Sequence, residues 1–305
     1  MKGMAKKFTI TLDTQRYREP TQEELDAAKR FIVRRSRAAN AVREVAQEAI
    51  TDAAVEIAHI ALRYNIDPKR FAFDSSVSEA MMDEVAAVMD ALEDELMELL
   101  QDKATEYARD DGTKTLLLGF LFALGHRNLG LRNTIHEYLW RTLRQTEALV
   151  VAAKENKLSQ SEATAMVRNS LATAQASAMV RSLMRYRQLY NAQFIRDGGR
   201  ATFSDGSPNV QGVPVSGLDA TLNVMESAVN HTWQRAHSLE MQSQGAIGYW
   251  QFRGSDFPCA ICDEEAGFHP VENPEDWMYE DFPHEHCRCG RLPIFNKQEL
   301  NNLDI

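Results

Sequence analysis

Hydrophobic residues recur at helical spacing over most of the chain up to residue 197. Thr21 and Glu24 have the spacing of a capping box, and the chain from there to about Tyr64 contains neither glycine nor proline. The pattern therefore predicts a first long helix that ends close to Asn65–Pro68.

A second Ser-x-x-Glu box, at Ser76 and Glu79, predicts the start of the next helix. Its apolar residues recur at intervals of three and four, which places them on one helical face: Met81, Val85, Val88, Leu92, Leu96 and Leu99. A short buried helix is predicted over 115–124, and longer helices over 133–154, 159–196 and 218–242. Such stripes are typical of helix-to-helix packing, and the length of the helices favours an elongated bundle.

The composition of the sequence changes over residues 197–217, which hold five of the 15 glycines and two of the 9 prolines. A stretch of this kind indicates a loop or hairpin and a domain boundary. After the next helix, Tyr249, Trp250 and Phe252 favour a short strand. The chain is therefore predicted to be mainly α, with a helical body over 1–197, a linker or hairpin over 198–217 and a small α+β module over 218–305.

The formal net charge of -10 argues against a protein that coats nucleic acid through bulk electrostatics. The charges are nevertheless unevenly placed, because residues 79–98 hold eight acids and neither lysine nor arginine. The first helix is basic at Lys29, Arg30, Arg34, Arg35, Arg37 and Arg43. Both regions can be solvated helix faces, or two faces that meet each other. The alternative for the helix from Arg30 to Arg43 is contact with nucleic acid or with an acidic partner protein.

The longest apolar run, Leu116–Gly125, is well short of the roughly 20 residues that a spanning helix needs. The N-terminal residues also lack the apolar segment of a secretory signal, so we expect no membrane association and synthesis in a reducing cytoplasm. In such a compartment clustered cysteines are more often metal ligands or redox groups than disulfides.

All four cysteines lie close to the C-terminus, at Cys259, Cys262, Cys287 and Cys289. A Cys-x-x-Cys turn lets two sulfurs approach one centre, and two cysteines spaced by two in an extended strand share a face. The set can therefore close a tetrahedral zinc site with sulfurs about 2.3 Å from the metal, and a zinc ion with four protein ligands is structural. His284 lies three residues before Cys287 and can replace one thiolate, so the fourth ligand is open at this point.

The residues between the two cysteine pairs are dense in acids and prolines and short of aliphatic side chains. Such a segment buries little apolar area to offset its ordering entropy, whereas structural zinc supplies about 10–16 kcal/mol of apparent binding energy in finger peptides. The alternatives are four free core cysteines, a disulfide in an oxidising medium, and a redox Cys-x-x-Cys, which would need a βαβ context. His269 is better explained as a loop histidine than as a ligand, and the consecutive Asp263, Glu264 and Glu265 as solvated carboxylates.

Two motifs in this region have a recognisable pattern. The first contains Trp250, Asp256, Cys259, Cys262 and Gly267, and the second contains Pro283, His284, Cys287, Arg288 and Cys289. Together they resemble the C-terminal motif of the Mu F-like family, the minor capsid or head-morphogenesis proteins of tailed phages. The preceding helix, with Glu226 and Asn230, resembles the helix that leads into that motif. The chain departs from the family pattern at Met225, Phe282 and His286.

The resemblance implies a structural, non-enzymatic virion component, made in the host cytoplasm and placed in the capsid interior or at the portal vertex. Its implied partners are the portal, major capsid or scaffold protein, in few copies per virion or as a homo-oligomer, with phage DNA a further partner for the basic helix from Arg30 to Arg43. By family analogy His284 and Cys287 complete the zinc site, while strand geometry favours Cys289 equally.

Two other functions fit the same motif. Mu F-type modules also precede toxin or ADP-ribosyltransferase domains, but only sixteen residues follow Cys289, so we expect no catalytic domain there. The sequence shows no glycine-rich phosphate loop, no His-Glu-x-x-His motif and no nucleophile elbow. The second alternative is a zinc-containing nucleic-acid-binding protein, which the acidic net charge disfavours as the main role.

Overall fold

The computed structural model describes residues 16–64, 66–68, 71–73, 78–124, 130–172, 217–252, 264–271 and 289–296. In these ranges the chain is mainly helical, with a small antiparallel sheet close to the C-terminus. The helices are α1 (Gln22–Arg63), α2 (Glu79–Thr105), α3 (Asp111–Ala123), α4 (Gly130–Glu155), α5 (Gln160–Ala172) and α6 (Gly217–Ser243). The strands are β1 (Gly248–Phe252), β2 (Gly267–Pro270) and β3 (Gly290–Ile294).

The predicted capping box at the start of α1 is confirmed. The Thr21 hydroxyl accepts a hydrogen bond from the Glu24 backbone N–H, and the Glu24 carboxylate accepts one from the Thr21 backbone N–H. This arrangement satisfies two of the N–H groups that every helix start leaves without an intrahelical partner. The helix continues for 42 residues, which corresponds to about 63 Å at 1.5 Å per residue.

The start of α2 differs from the prediction, because the cap is Ser78 and not Ser76. The Ser78 hydroxyl accepts a hydrogen bond from the Met81 backbone N–H at 3.3 Å. With Met81 in the third helical position, no side chain can return the bond, so the cap at Ser78 is not a reciprocal capping box. The predicted apolar face is confirmed, since Met81, Val85, Leu92 and Leu96 are buried.

The prediction of a short buried helix over 115–124 is wrong in its start and in its burial. The helix α3 begins at Asp111, because the Asp110 carboxylate caps it by accepting a hydrogen bond from the Thr113 backbone N–H at 2.7 Å. Only Leu117 and Leu121 are buried within it, while the apolar side chains of the opposite face are exposed. The apolar run therefore belongs to a surface helix that buries one apolar face and exposes Leu116 and Phe122 on the other.

The helix predicted over 159–196 is described only in part. Its first section is α5, which packs on α1 through Val167 and is joined to it by an ion pair of 2.8 Å between Arg168 and Asp52. Residues 173–196 lie outside the described part of the chain, as does the predicted linker up to residue 216. The division into body, linker and module therefore stays a prediction.

Helix α6 lies at the centre of the bundle and is buried on nearly all sides, in contact with α1, α2, α3 and α4. Its Trp233 is 1% exposed, packs with Phe31 and Tyr107, and donates a hydrogen bond to the Lys103 carbonyl at 2.7 Å. At its start, a Cβ on Gly217 would lie 2.4 Å from the Thr142 backbone nitrogen. Only glycine allows this close approach of α6 to α4.

The sheet has the order β2-β1-β3, with both pairings antiparallel. Its edge strand β3 contains Pro293, a residue that sheets admit at edges because it has no N–H to donate. The residues that precede α1 pair with those that follow β3. Tyr17 forms a bridge with Asn296, and the Arg18 backbone N–H donates to the Phe295 carbonyl at 3.1 Å. None of the helices described is both long and apolar enough to cross a membrane.

Candidate metal centre and its attachment to the helices

The structure describes one of the five predicted zinc ligands. Cys289 immediately precedes β3 and is 6% exposed. The other four, Cys259, Cys262, His284 and Cys287, lie outside the described residues. Among the residues that are described, no group of three or more histidine, cysteine, aspartate or glutamate side chains is arranged to hold a metal ion. The strands that flank the predicted site are described.

The register of the sheet places the last residues of β1 beside the first residues of β2 and β3, at one end of the sheet. Phe252, the last residue of β1, is paired with Gly290, the first residue of β3. Gln251 is paired with Gly267, the first residue of β2. The first cysteine pair lies between the end of β1 and the start of β2, and the second pair directly precedes β3. Both pairs are therefore attached to the same end of the sheet.

Arg35 of α1 joins the helices to this end of the sheet. Its guanidinium donates to the Cys289 backbone carbonyl at 3.0 Å and to Gln234 Oε1 at 2.5 Å, and it lies over the Phe31 ring at 5.5 Å. The side chain is 1% exposed. A buried guanidinium is costly unless it is hydrogen-bonded, so Arg35 holds Cys289 and α6 in a defined position relative to α1.

A second attachment runs from α6 to β3 and β1. His237 Nε2 donates to the Arg291 carbonyl at 3.3 Å, and its ring stacks on Phe31 with the centroids 4.2 Å apart. The Arg291 guanidinium donates to the Ser238 hydroxyl at 3.2 Å and lies over the Tyr249 ring at 4.1 Å. Cation–π and hydrogen-bond contacts of this kind are strongest where water is excluded, and Arg291 is 4% exposed.

One turn beyond His237, Glu240 is the centre of a polar cluster. Its carboxylate accepts a hydrogen bond from the Tyr107 hydroxyl at 2.5 Å and another from Arg109, and His237 Nδ1 lies 3.9 Å away, at ion-pair distance. His237 is the main factor that lowers the pKa of Glu240 from 4.5 to about 2, with Tyr107 and Arg109 adding to it against the opposing effect of burial. Burial and the bond to Glu240 raise the pKa of Tyr107 far above its ordinary value.

This cluster predicts a loss of stability in acid. Because the folded pKa of Glu240 is about 2, below its ordinary 4.5, its contribution is present above about pH 4.5 and is lost as the pH falls through that interval. After allowance for solvent screening, we expect Glu240→Gln to lower the free energy of unfolding by about 1 to 2 kcal/mol at pH 7 and by much less at pH 3. Denaturant titrations at several pH values measure this difference.

The matched control for this prediction is Glu98→Gln, which changes an exposed carboxylate on α2. We expect the control to follow the wild type at every pH. If the Glu240→Gln curve also runs parallel to the wild type from pH 7 to pH 3, Glu240 has no role in the acid response.

Glu226 and Asn230, which the resemblance singled out on the leading helix, both point into the bundle. Glu226 is 7% exposed and lies 3.5 Å from Arg43 Nη1, while Asn230 is 2% exposed. Arg43 also donates to Asn223 Oδ1 at 3.0 Å and pairs with Asp219 at 3.8 Å. Arg43 therefore forms a polar interface between α1 and α6 together with Asp219, Asn223 and Glu226.

The basic helix is accordingly not one continuous cationic surface. Arg35 is buried against Gln234 and Arg43 pairs with acids of α6, while Arg30 and Arg37 are exposed. The acidic stretch of α2 meets α4 in part, where Arg132 pairs with Glu93 and Asp94 and His136 Nδ1 lies 2.8 Å from Glu93. The basic stretch of α1 thus pairs mainly with α6. The acidic stretch of α2 pairs with α4 and, through Glu84, with Arg63 at the end of α1.

Sequence reasoning missed the attachment residues Arg35, His237 and Arg291. A signal for Arg35 was present, because it falls on the stripe of Phe31, Ala38 and Val42, where a helical pattern leads one to expect an apolar residue. His269, predicted to be a loop histidine, lies instead in β2, where Nε2 donates to the Glu265 carbonyl at 2.8 Å.

No known protein-family model, curated protein or solved structure matches this chain.

Proposed function

We propose that this protein is a structural head-assembly protein of a tailed phage, in which a zinc-stabilised C-terminal module on an elongated helical body docks to the portal or capsid. The observation that carries the proposal is the register of the sheet, which attaches both cysteine pairs to the same end of the sheet. The resemblance to the Mu F-like motif supplies the biological setting.

The segments that join the cysteine pairs to this end of the sheet have lengths compatible with one metal centre. Cys259 is seven residues from Phe252, and Cys287 is three residues from Gly290. At no more than about 3.6 Å per residue, the first tether extends to about 25 Å and the second to about 11 Å. Since Phe252 and Gly290 are paired directly, the two cysteine pairs are within reach of one another, as a shared zinc ion requires.

The attachment of the module favours a structural role for the metal. Arg35 holds the Cys289 carbonyl, and His237 and Arg291 fasten β3 to α6. A zinc ion with four protein ligands has no open position for substrate. Such an ion would order the cysteine-bearing segments on a sheet already fastened to the bundle, and the result is a docking surface with a defined orientation.

Metal analysis of the purified full-length chain tests the zinc site. We expect one zinc per chain by mass spectrometry of the native protein, with all four thiols modified by an alkylating reagent only after denaturation and chelation. Zinc-free protein with paired cysteines would instead establish a disulfide framework and overturn the metal centre.

Co-purification tests the assembly role separately from the metal. The full-length chain is expected to bind the portal ring of its own virus, and the zinc-free protein to bind it at least tenfold more weakly. Two parallel assays address the alternatives, namely consumption of NAD for an effector and binding to duplex DNA over a salt series for a nucleic-acid protein. Activity in either assay without portal or capsid binding would refute the assembly role.

A further inference from the structure

The exposed face of α1 changes sign half-way along its length. Its exposed residues recur every three or four positions, from Arg30 through Asn40 to Glu56, so they form one stripe along the helix. The first half of the stripe is basic and the second half is acidic: Arg30, Arg34 and Arg37, then Glu44, Glu48, Asp52 and Glu56. A helix stripe that is basic in one half and acidic in the other is complementary to an antiparallel copy of itself.

The spacing of these charges gives the complementarity a definite register. A two-fold axis at residue 43 places Arg30 opposite Glu56 of the other copy, and it places Arg37 opposite Ala49, next to Glu48. The same axis places Arg34 opposite Asp52. Two-fold symmetry repeats each pair, because in such an interface residue i meets residue j and j meets i. The stripe therefore offers six ion pairs across one antiparallel contact.

The apolar positions of the stripe fit the same register. Val33 and Val45 are 49% and 46% exposed, which is unusual for large hydrophobic side chains in the described part of the chain. The axis brings Val33 opposite Ala53 and Val45 opposite Ala41. Small side chains at these positions allow two helices to approach closely, and the exposed valines would be covered.

The acidic half of the stripe lies along an open groove of about 990 Å³ between α1 and α2. Alanines contribute to its lining from both helices, at Ala49 and Ala53 of α1 and at Ala87 and Ala91 of α2. Carboxylates stand beside them at Glu48, Asp52, Glu56 and Glu95, while Glu84 pairs with Arg63, which also lines the groove. The groove therefore has room and charge for a helix that presents basic side chains.

Contacts within the chain leave most of these charges available. No ion pair joins Arg30, Arg37, Glu48 or Glu56 to any other residue that the structure describes. Asp52 pairs with Arg168 on the surface, and Arg34 lies about 6 Å from the Tyr107 ring centroid. Exposed pairs of this kind contribute at most about 1 kcal/mol and are exchanged readily for intermolecular ones.

We propose that a second copy of this chain binds along α1, antiparallel and two-fold symmetric, with the basic half of each α1 lying in the acidic groove of the other. The contact is mainly electrostatic and of modest area, so we expect a dissociation constant on the order of micromolar that weakens with salt. The proposal does not depend on the zinc site or on the head-assembly role.

Charge reversal tests the proposal with full-length protein in sedimentation equilibrium. The wild type is expected at twice the 34.5 kDa chain mass at low salt and as a monomer at 0.5 M salt, where the screening length is about 4 Å. One variant carries Arg30→Glu and Arg37→Glu, and the other carries Glu48→Arg and Glu56→Arg. Each alone repels its own copies and is expected to be monomeric, with dimerisation at least tenfold weaker.

The decisive sample is an equimolar mixture of the two reversed variants. Both ends of the interface then carry opposite charges, so a one-to-one dimer is expected to return. The variant Lys114→Glu with Lys157→Glu has the same net charge as the first variant but alters positions off the stripe, and it should dimerise as the wild type does.

A wild-type chain that remains monomeric at low salt and 100 µM would overturn the proposal, and the groove would then belong to another protein or to another part of this chain. A mixture that stays monomeric, or that forms open-ended polymers rather than dimers, would also contradict the two-fold register.

Discussion

Replacing Arg35 by methionine is expected to lower the free energy of unfolding by about 2 to 4 kcal/mol and to loosen the C-terminal sheet from the helices. The substitution keeps an unbranched side chain against Phe31 but removes the donors to Cys289 O and Gln234 Oε1. Buried acceptors that lose a donor cost about 1 to 3 kcal/mol each. Denaturant unfolding measures the total, and hydrogen exchange of β3 measures the loosening.

The matched control is Arg30→Met, which makes the same chemical change on the exposed side of the same helix. We expect that control to change the free energy of unfolding by less than about 0.5 kcal/mol, as is usual for surface positions. Equal stability of the two variants would show that Arg35 does not anchor the sheet. Zinc affinity of the Arg35→Met protein, measured by competition with a chelator, should fall even where the helices remain folded.

Substituting Cys262 by serine is expected to open residues 253–288 to protease while the far-UV helix signal stays nearly intact. The zinc ion would supply about 10–16 kcal/mol of apparent binding energy to a segment with few aliphatic residues, so its loss exceeds what the local packing can offset. The described helices pack around a core that contains no residue of the described sheet, so we expect them to stay folded without the metal. Limited proteolysis followed by mass mapping gives the cleavage sites.

The same assay separates the two possibilities for the fourth ligand. His284→Ala and Cys289→Ser are tested in parallel, and the variant that loses zinc identifies the residue that binds it. Wild-type protein stripped with a chelator should reproduce the Cys262→Ser cleavage pattern and recover on addition of zinc. A Cys262→Ser protein with an unchanged protease pattern would exclude a structural metal at this site.

Local sequence patterns predicted most of the described helices. The reciprocal hydrogen bonds of Thr21 and Glu24 involve residues three apart, so their spacing predicted the start of α1 correctly. The errors arose where two local signals competed. Ser76 and Ser78 are both capping residues, and Asp110 lies just ahead of the apolar run that suggested a later start for α3. In each case one hydrogen bond, which the pattern does not show, selected the cap.

Local sequence patterns did not predict the burial of α6. Its sequence contains Asp219, Glu226, Gln234 and Arg235, which give it the composition of a surface helix, yet all four are buried. Polar side chains can be buried when partners from distant parts of the chain satisfy them, and Arg35 and Arg43 do so from α1. The identity of such partners depends on how the helices cross.

The sequence by itself therefore determined the mainly helical class of this protein, the limits of the longest helix that the structure describes and the grouping of the cysteines, because these depend on residues that are neighbours along the chain. The tertiary structure alone decided that α6 lies at the centre of the bundle and that Arg35 holds Cys289. It also decided that the strands flanking both cysteine pairs meet at one end of the sheet. Those features join residues up to 254 positions apart. Their contacts arise from the packing of whole helices, for which no short stretch of sequence carries a signal.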